Sequence, residues 1–344
     1  MDIKKVIEGS NNIGILTKRN ANNDAVGASL ALFFMLQSIG KKACFPSKKI
    51  PKELLDFLKS RGGKKFQVSF DDEISEVYYE KKGKGIILYL EPKDKNAQDD
   101  KFSCKIISEE NFFSPEYDIL FVLGIEDFKE VEDLLENNEQ LSNCTIINID
   151  KNLNNQNYGE INIIDENQSL SQTIACLLKA FGEYNNRDAL NFLLYGLAFS
   201  GKKTNNRKKV STVKWILKNG GDLSLFSGSI ENNKLLEIVL KNLTFEGDVY
   251  ISSISKKDFL ESNTSSKNLS FSVERLKNFL NISSFFFLWE EKNIIKALIY
   301  SDRKYIVQRI SMYFKGFFKE RGGIFSIEEN SIERAKYKLL SYLK

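Results

Sequence analysis

Asp24 and Asp150 are the carboxylates whose placement first suggests chemistry. Asp24 opens a predicted helix, and Asp150 closes an apolar run that reads as a strand. Two carboxylates can hold a hydrated magnesium ion weakly. Each also has a structural reading, and that reading is preferred: Asp24 as a helix N-terminal carboxylate favoured by the dipole, Asp150 as the residue that orders the loop after it. Lys18 and Lys151 could hold a phosphate, helped by backbone N–H groups at the helix start near Asp24 if Gly27 lets the ligand approach. Drift to ion-paired or solvated lysines is an equal alternative, and close helix–strand packing is the plainer reading of Gly27. The basic run 202–209 could grip a nucleic-acid backbone, but a solvated linker is the commoner cause. The aromatic segment 285–289 could stack bases, although a buried strand explains it better. There is no histidine in the 344 residues. Histidine is the usual general acid/base and the commonest metal ligand, so Ser-His-Asp and Cys-His triads and every histidine-containing metal site are excluded.

The elements that must position these residues alternate in type. Apolar runs at 13–17, 85–90, 117–123 and 144–149 read as strands, the last three of the kind buried on both faces. Helical patterns cover 24–39, 51–60, 126–138, 169–181 and 188–199. This alternation predicts an α/β domain built on a mostly parallel sheet. From 201 to 232 the pattern loosens, and the interdomain connection is placed there. Beyond it, strands are expected at 249–254, 285–289 and 296–300, and helices at 269–279 and 305–319. A last helix follows Asn330, with Glu333 completing a capping box. The division is residues 1–201 as the first domain, 202–232 as linker, and 233–344 as a smaller α+β domain, with a cleft between the two domains.

Composition narrows the class. Hydrophobic residues make up 42% and charged residues 28%, and the net charge of +4 is too small to argue for nucleic acid by itself. Cys44, Cys104, Cys144 and Cys176 form no CxxC pair, so neither a zinc site nor a disulfide framework is suggested. The start lacks an apolar signal core, and the apolar runs fall short of the roughly 20 residues of a membrane span. A cytoplasmic protein without membrane contact is expected.

The segment 15–42 resembles the first motif of the DHH phosphoesterases, which include RecJ-like exonucleases and the bacterial oligoribonuclease/phosphoadenosine-phosphate phosphatases. That motif is a strand, then T-H-x-N-P-D-x-D-A-x-G, then a helix ending in G-K. Asn20, Asp24, Ala25, Gly27, Gly40 and Lys41 fit, with Ser29 soon after; Lys18 stands at the histidine and Asn22 at the first aspartate. Residues 117–124 resemble the second motif, with Gly124 at its aspartate. Residues 147–165 resemble the D-H-H motif and the loop after it. Asp150 keeps its place there, while Lys151 and Asn152 replace the two histidines. Residues 196–201 align with the fourth motif, with Ser200 at its aspartate. In the second half, 296–303 resembles the family's S-x-R-S strand and Arg321-Gly322-Gly323 its G-G-G-H turn, which makes Arg303, Arg321, Gly322 and Gly323 candidates for ligand binding.

The resemblance implies an N-terminal parallel-sheet domain followed by a smaller DHH-associated domain. In the family, aspartates and histidines hold two divalent ions that activate water and stabilise the leaving oxygen. Of the aligned ligands only Asp24 and Asp150 remain. Lys18 and Lys151 put ammoniums where ligands should point at a cation, and like charges at about 4 Å cost roughly 4 kcal/mol at an intermediate dielectric. The two lysines are expected to pair with Asp24 and Asp150, and no metal cofactor is expected; manganese or magnesium would be needed only if the family activity were kept. The reading is a catalytically inactive homologue that binds a partner. The alternatives are an active phosphoesterase on short oligonucleotides or nucleotide phosphates, and a single-stranded nucleic-acid binder. Partners remain open between another protein, a nucleotide or single-stranded nucleic acid, and a second copy of the chain.

Overall fold

The computed structural model describes residues 2–45, 65–70, 74–82, 85–93, 102–107, 117–135, 144–182, 186–200, 206–226, 229–246, 249–291 and 294–343. The chain divides into two compact units, residues 1–52 with 114–344, and residues 53–113. In the larger unit the elements begin with α1 (Ile3–Glu8), β1 (Asn12–Thr17), α2 (Asn23–Ser38) and β2 (Lys42–Cys44). The smaller unit holds β3 (Lys65–Phe70), β4 (Ile74–Lys82), β5 (Gly85–Pro92) and β6 (Phe102–Ile107). The larger unit resumes with β7 (Ile119–Leu123), α3 (Phe128–Leu134), β8 (Thr145–Asp150), β9 (Ile161–Ile164), α4 (Leu170–Ala180) and α5 (Arg187–Phe199).

The first sheet is wholly parallel, in the order β2-β1-β7-β8-β9. Its central strand β7 is buried along its whole length, as expected of a strand covered on both faces. Leu16, Leu120, Val122 and Ile146 share a core with Val131 and Leu134 of α3. Helices α2, α4 and α5 pack on one another. The predicted strand at 85–90 exists as β5, but it pairs antiparallel with β4 and lies outside the parallel sheet. Only two residues separate β4 from β5, so the short connection makes a hairpin where a parallel pair would need a crossover. In the same unit β3 pairs antiparallel with β6. The helix predicted at 51–60 lies outside the described residues. The one predicted at 126–138 is described only to 135 and is helical over Phe128–Leu134.

Residues 206–218, read from sequence as part of a loose linker, form the helix α6 (Asn206–Lys218). The remainder of that basic run, 202–205, lies outside the described residues. There follow α7 (Ile230–Asn242), β10 (Thr244–Glu246), β11 (Val249–Ile254), α8 (Lys256–Glu261), α9 (Leu269–Leu280), β12 (Ser284–Glu291), β13 (Ile294–Ser301), α10 (Lys304–Tyr313), β14 (Phe317–Lys319), β15 (Gly322–Ile327) and α11 (Ile332–Leu343). The helix expected over 305–319 ends at Tyr313: Lys315 has φ +54°, and the chain turns into the edge strand β14. The cap of α11 is Ser331, whose Oγ accepts from Arg334 N at 3.3 Å, one residue later than expected. The second sheet runs β10-β11-β12-β13-β15-β14, parallel between β11 and β12 and antiparallel elsewhere. One face packs Ile295, Ala297, Ile299, Phe325 and Ile327 against Val307 and Ile310 of α10 and Ala335 and Leu339 of α11. The aromatic segment of β12 is buried, as its preferred reading had it. No described helix is long and apolar enough to cross a membrane.

Candidate functional site

In the parallel sheet the chain leaves β1 for β2 on one side, while β7 lies on the other. That reversal makes the C-terminal ends of β1 and β7 a topological switch point, where open α/β sheets place ligands. A cavity of about 550 Å³ opens there. It is lined by Thr17, Lys18, Asn22, Gly124, Asp150, Lys151 and Asn152 among others, all between residues 17 and 170. The sequence motifs therefore do converge at one sheet edge. Asp24 is the exception: it is only 1% exposed and does not line the cavity.

Each residue has a local reason for its position. Asn22 is the N-cap of α2, and its Oδ1 accepts from Ala25 N at 3.0 Å. A neutral cap of this kind stabilises a helix start, and the same residue lines the cavity. Asp24, in the first turn of α2, reaches across to a different helix. Its two carboxylate oxygens accept from Leu170 N and Ser171 N, each at 3.1 Å, at the start of α4. The expected N-terminal carboxylate role is thus found, on α4 as well as α2. Asp150 orders the loop after it: Oδ1 accepts from Lys151 N (2.7 Å) and Asn152 N (3.2 Å), and Oδ2 accepts from Asn155 Nδ2 (2.9 Å). Asn155 also donates to Ile125 O at 2.8 Å, and its Oδ1 accepts from Asn148 Nδ2 at 2.6 Å. The buried amides of Asn148 and Asn155 tie β8 to the loop behind the cavity.

The lysines pair with the motif aspartates only in part. Lys18 Nζ lies 3.4 Å from Glu130 and 3.8 Å from Glu126, so its partners come from α3 and the loop before it. Lys151 Nζ lies 3.9 Å from Asp24. One lysine reaches an aspartate of the motifs, and it is the other aspartate from the one beside it in sequence. Gly124 has φ +69°, a conformation that favours glycine, and a Cβ there would stand 3.1 Å from Leu170 Cδ1. An aspartate at this position would meet both obstacles.

Ser200 is outside the cavity; it is buried at the end of α5, where its Oγ donates to Leu197 O at 2.8 Å. Gly27 does not line the cavity, and the close packing it allows is with a helix and not a strand. It lets α2 meet α5 at Gly196, since a Cβ on Gly27 would lie 2.7 Å from Gly196 backbone atoms and from Phe192 O.

Two of the four C-terminal candidates, Arg321 and Gly322, line a second cavity of about 670 Å³, with Lys277, Tyr300, Lys304, Lys319 and Glu320. Arg321 pairs with Asp302 at 3.0 Å. Arg303 is the N-cap residue of α10 and does not line this cavity. Gly323 is buried on the opposite face, where a Cβ would collide with Ser311 Oγ. The register places Tyr300, Gly322 and Lys319 in one row across the sheet and Leu298, Ile324 and Phe317 in the next row on the same face. The first row is polar and cationic. The second ends in Phe317, which is 88% exposed.

Lys209 is the residue that sequence reasoning missed. It is 1% exposed on α6, and burial pushes its ammonium down to about 8 while the Asp24 carboxylate opposes that shift. Its signal was phase: Lys209, Val213 and Ile216 recur at helical spacing on the buried stripe. Near the cavity, burial and then the Asp150 charge push the Tyr158 phenol up, and its hydroxyl donates to Ile125 O at 2.9 Å.

The donor set fits a two-ion centre poorly. The carboxylate oxygens of Asp24 and Asp150 already accept hydrogen bonds from the protein. Asn22 is a cap, and Gly124 offers no side-chain donor. Among the described residues no group of three or more Asp, Glu, Cys or His side chains is placed to hold a metal ion.

No protein-family model matches the chain, and no curated protein matches it. Among solved structures it is similar to an exopolyphosphatase-related protein from Bacteroides fragilis, at 16% identity over 99% of this chain and 94% of the other, with a TM-score of 0.39. It is similar to a putative family II inorganic pyrophosphatase of Methanococcus jannaschii, at 13% identity over 97% and 99%, with a TM-score of 0.34. A pGpG-specific phosphodiesterase from Vibrio cholerae is 10% identical over 96% of this chain and 98% of its own, with a TM-score of 0.26.

Proposed function

We propose that the chain is a DHH-phosphoesterase-like scaffold that binds a partner or ligand and does not hydrolyse phosphoesters. The observation that carries this reading is the engagement of both surviving aspartates: Asp24 accepts from two backbone N–H groups of α4, and Asp150 from its own loop. Two-metal hydrolysis needs a cluster of ligands around two ions and an activated water, and the sequence resemblance supplies no ligands beyond these two. Manganese is therefore expected to show no two-site uptake by calorimetry at neutral pH. Phosphoadenosine phosphate and short oligoribonucleotides are expected to stay intact with or without it. Turnover by the unmodified protein that is abolished in Asp24→Asn would overturn the proposal.

A second reading, an anionic ligand such as single-stranded nucleic acid, is favoured by the C-terminal cavity. Lys277, Lys304, Lys319 and Arg321 gather there, beside a row that ends in an exposed phenyl ring. Rows two residues apart along a strand lie about 6.8 Å from each other, a spacing that suits a phosphate on one and a base stacked on the next. A fluorescent oligonucleotide should bind with a steep salt dependence. Lys319→Ala should weaken it and lower the log–log salt slope by about 1. Phe317→Ala should weaken it by about 1–3 kcal/mol with the slope unchanged. Salt-independent binding, or binding that both variants leave intact, removes this reading.

A further inference from the structure

In the smaller unit, the register of the β4–β5 hairpin composes one face of tyrosine and glutamate. Residues two apart along a strand share a face, so Glu76, Tyr78 and Glu80 of β4 stand together, with Glu91 and Tyr89 of β5 opposite the first two. All three glutamates and both tyrosines are exposed. The two rings stack across the strands with their centres 4.9 Å apart. Each hydroxyl donates to a carboxylate, Tyr78 to Glu91 at 3.4 Å and Tyr89 to Glu80 at 3.3 Å. Along β4 the row ends at Lys82, beside the turn. Glu76 stands directly opposite Glu91, and like charges in that position destabilise a strand pair. Among the described residues the nine-residue β4 pairs with β5 alone. Its outer edge is therefore a template for a further strand.

We propose that the outer edge of β4 docks an extended segment of a protein partner that carries arginine at alternate positions. A strand laid along that edge sets every second side chain on the tyrosine face, beside Glu76, Tyr78 and Glu80 in turn. Arginine suits all three neighbours: its guanidinium forms two parallel N–H bonds to a carboxylate and stacks on an aromatic ring. Charge complementarity selects this occupant over others. Two copies of the chain joined antiparallel at Tyr78 would set Glu76 of each against Glu80 of the other, a repulsive pairing. A nucleic-acid backbone would meet three carboxylates. A cationic strand instead brings positive charge to the Glu76–Glu91 pair and offsets its repulsion. The inference goes beyond the functional reading, since none of these residues lines either cavity described above. Turnover by the wild type would overturn that reading and leave this one to its own test.

Fluorescence anisotropy with the full chain tests it, using a short labelled peptide of alternating arginine and threonine as the probe. The chain carries a formal charge of +4, so overall attraction does not draw a cationic peptide in, and binding reports a local face. The wild type should bind it saturably, and less tightly as salt is added. A peptide of the same composition with its arginines in one block should bind clearly more weakly, because the period of two is lost. Tyr78→Ala should weaken binding of the alternating peptide about fivefold. Glu76→Gln/Glu80→Gln keeps the shape of the side chains and removes two charges, so a loss cannot come from the hairpin falling apart. It should weaken binding about tenfold and flatten the salt dependence. Val77→Thr, on the other face of β4, should bind as the wild type does. Absence of saturable binding to the wild type, or equal binding of the two peptides, overturns the proposal. So does full affinity in the tyrosine or the glutamine variant, or a loss in Val77→Thr as large as that in Tyr78→Ala.

Discussion

Gly27→Ala is expected to lower the unfolding free energy by about 3 kcal/mol, read as a fall in the urea midpoint at unchanged slope. The usual expectation for this change in a helix has the opposite sign, since alanine is favoured over glycine by about 1 kcal/mol. Local geometry decides against it. An added Cβ would lie 2.7 Å from the N and Cα of Gly196 and from the carbonyl oxygen of Phe192. All three are backbone atoms of α5, so no side chain can swing aside, and relief requires α2 and α5 to part. The crossing also holds the chemistry in place. Next to it Gly196 leaves room for Ser171 Oγ, which donates to Asp24 O. Parting the helices would therefore loosen the start of α4 and the hydrogen bonds that Asp24 accepts there. Gly9→Ala is the control, because its Cβ would meet nothing nearer than 3.5 Å and its effect should stay within about 0.5 kcal/mol. A Gly27→Ala protein as stable as wild type would mean that this crossing is not close-packed in solution.

The sequence made the parallel sheet legible because its strands are strong signals. The runs that became β1, β7 and β8 are short, continuous and apolar, and each is followed by a residue that lines the cavity, Lys18, Gly124 and Asp150 in turn. Motif order then placed Lys18, Gly124, Asp150 and Lys151 around one cavity. Two kinds of fact were not legible. The first is which acceptor meets which donor. Asp24 reaches Leu170 and Ser171 across nearly 150 residues, and Lys18 finds Glu126 and Glu130 on the neighbouring loop and helix; nothing in local spacing encodes these choices. The second is the difference between a polar run and a buried face. The run 202–209 reads as solvated because its residues are basic. Yet Lys209 and Val210 begin the buried stripe of α6, and the long apolar stem of lysine suits that position. Similarly, β5 has the composition of a buried parallel strand, but the two-residue connection from β4 makes it half of a hairpin. Connection length overrode composition there. At residues 314–316 a positive φ at Lys315 broke a helical pattern that the side chains alone would have continued into β14.

Between about pH 8 and pH 10.5 the wild type is expected to gain about 3 kcal/mol of stability relative to Lys209→Met. Burial lowers the Lys209 ammonium from 10.5 to about 8, against the opposing attraction of Asp24. Below about pH 8 the lysine is charged in both the folded and unfolded chains, and the fold bears the full cost of burying it. Between the two values the unfolded chain keeps the proton that the folded chain has released. The unfolded state then binds more protons, and stability rises with pH. Above 10.5 both states are neutral and the curve is flat again. A displacement from 10.5 to about 8, at about 1.36 kcal/mol per pH unit, gives the stated size. Absolute stability in this range mixes in other groups. Burial pushes the Cys144 thiol up to about 12 and raises the Tyr158 phenol. Both stay neutral in the fold while the unfolded chain ionises, so each works against stability as the pH rises. These contributions are common to wild type and Lys209→Met, and the difference between the two proteins isolates the lysine. Urea midpoints of both, taken at half-unit steps from pH 7 to pH 11, supply the measurement. A difference that stays constant across the window would mean that Lys209 titrates as it does in the unfolded chain. Its burial would then carry no electrostatic penalty.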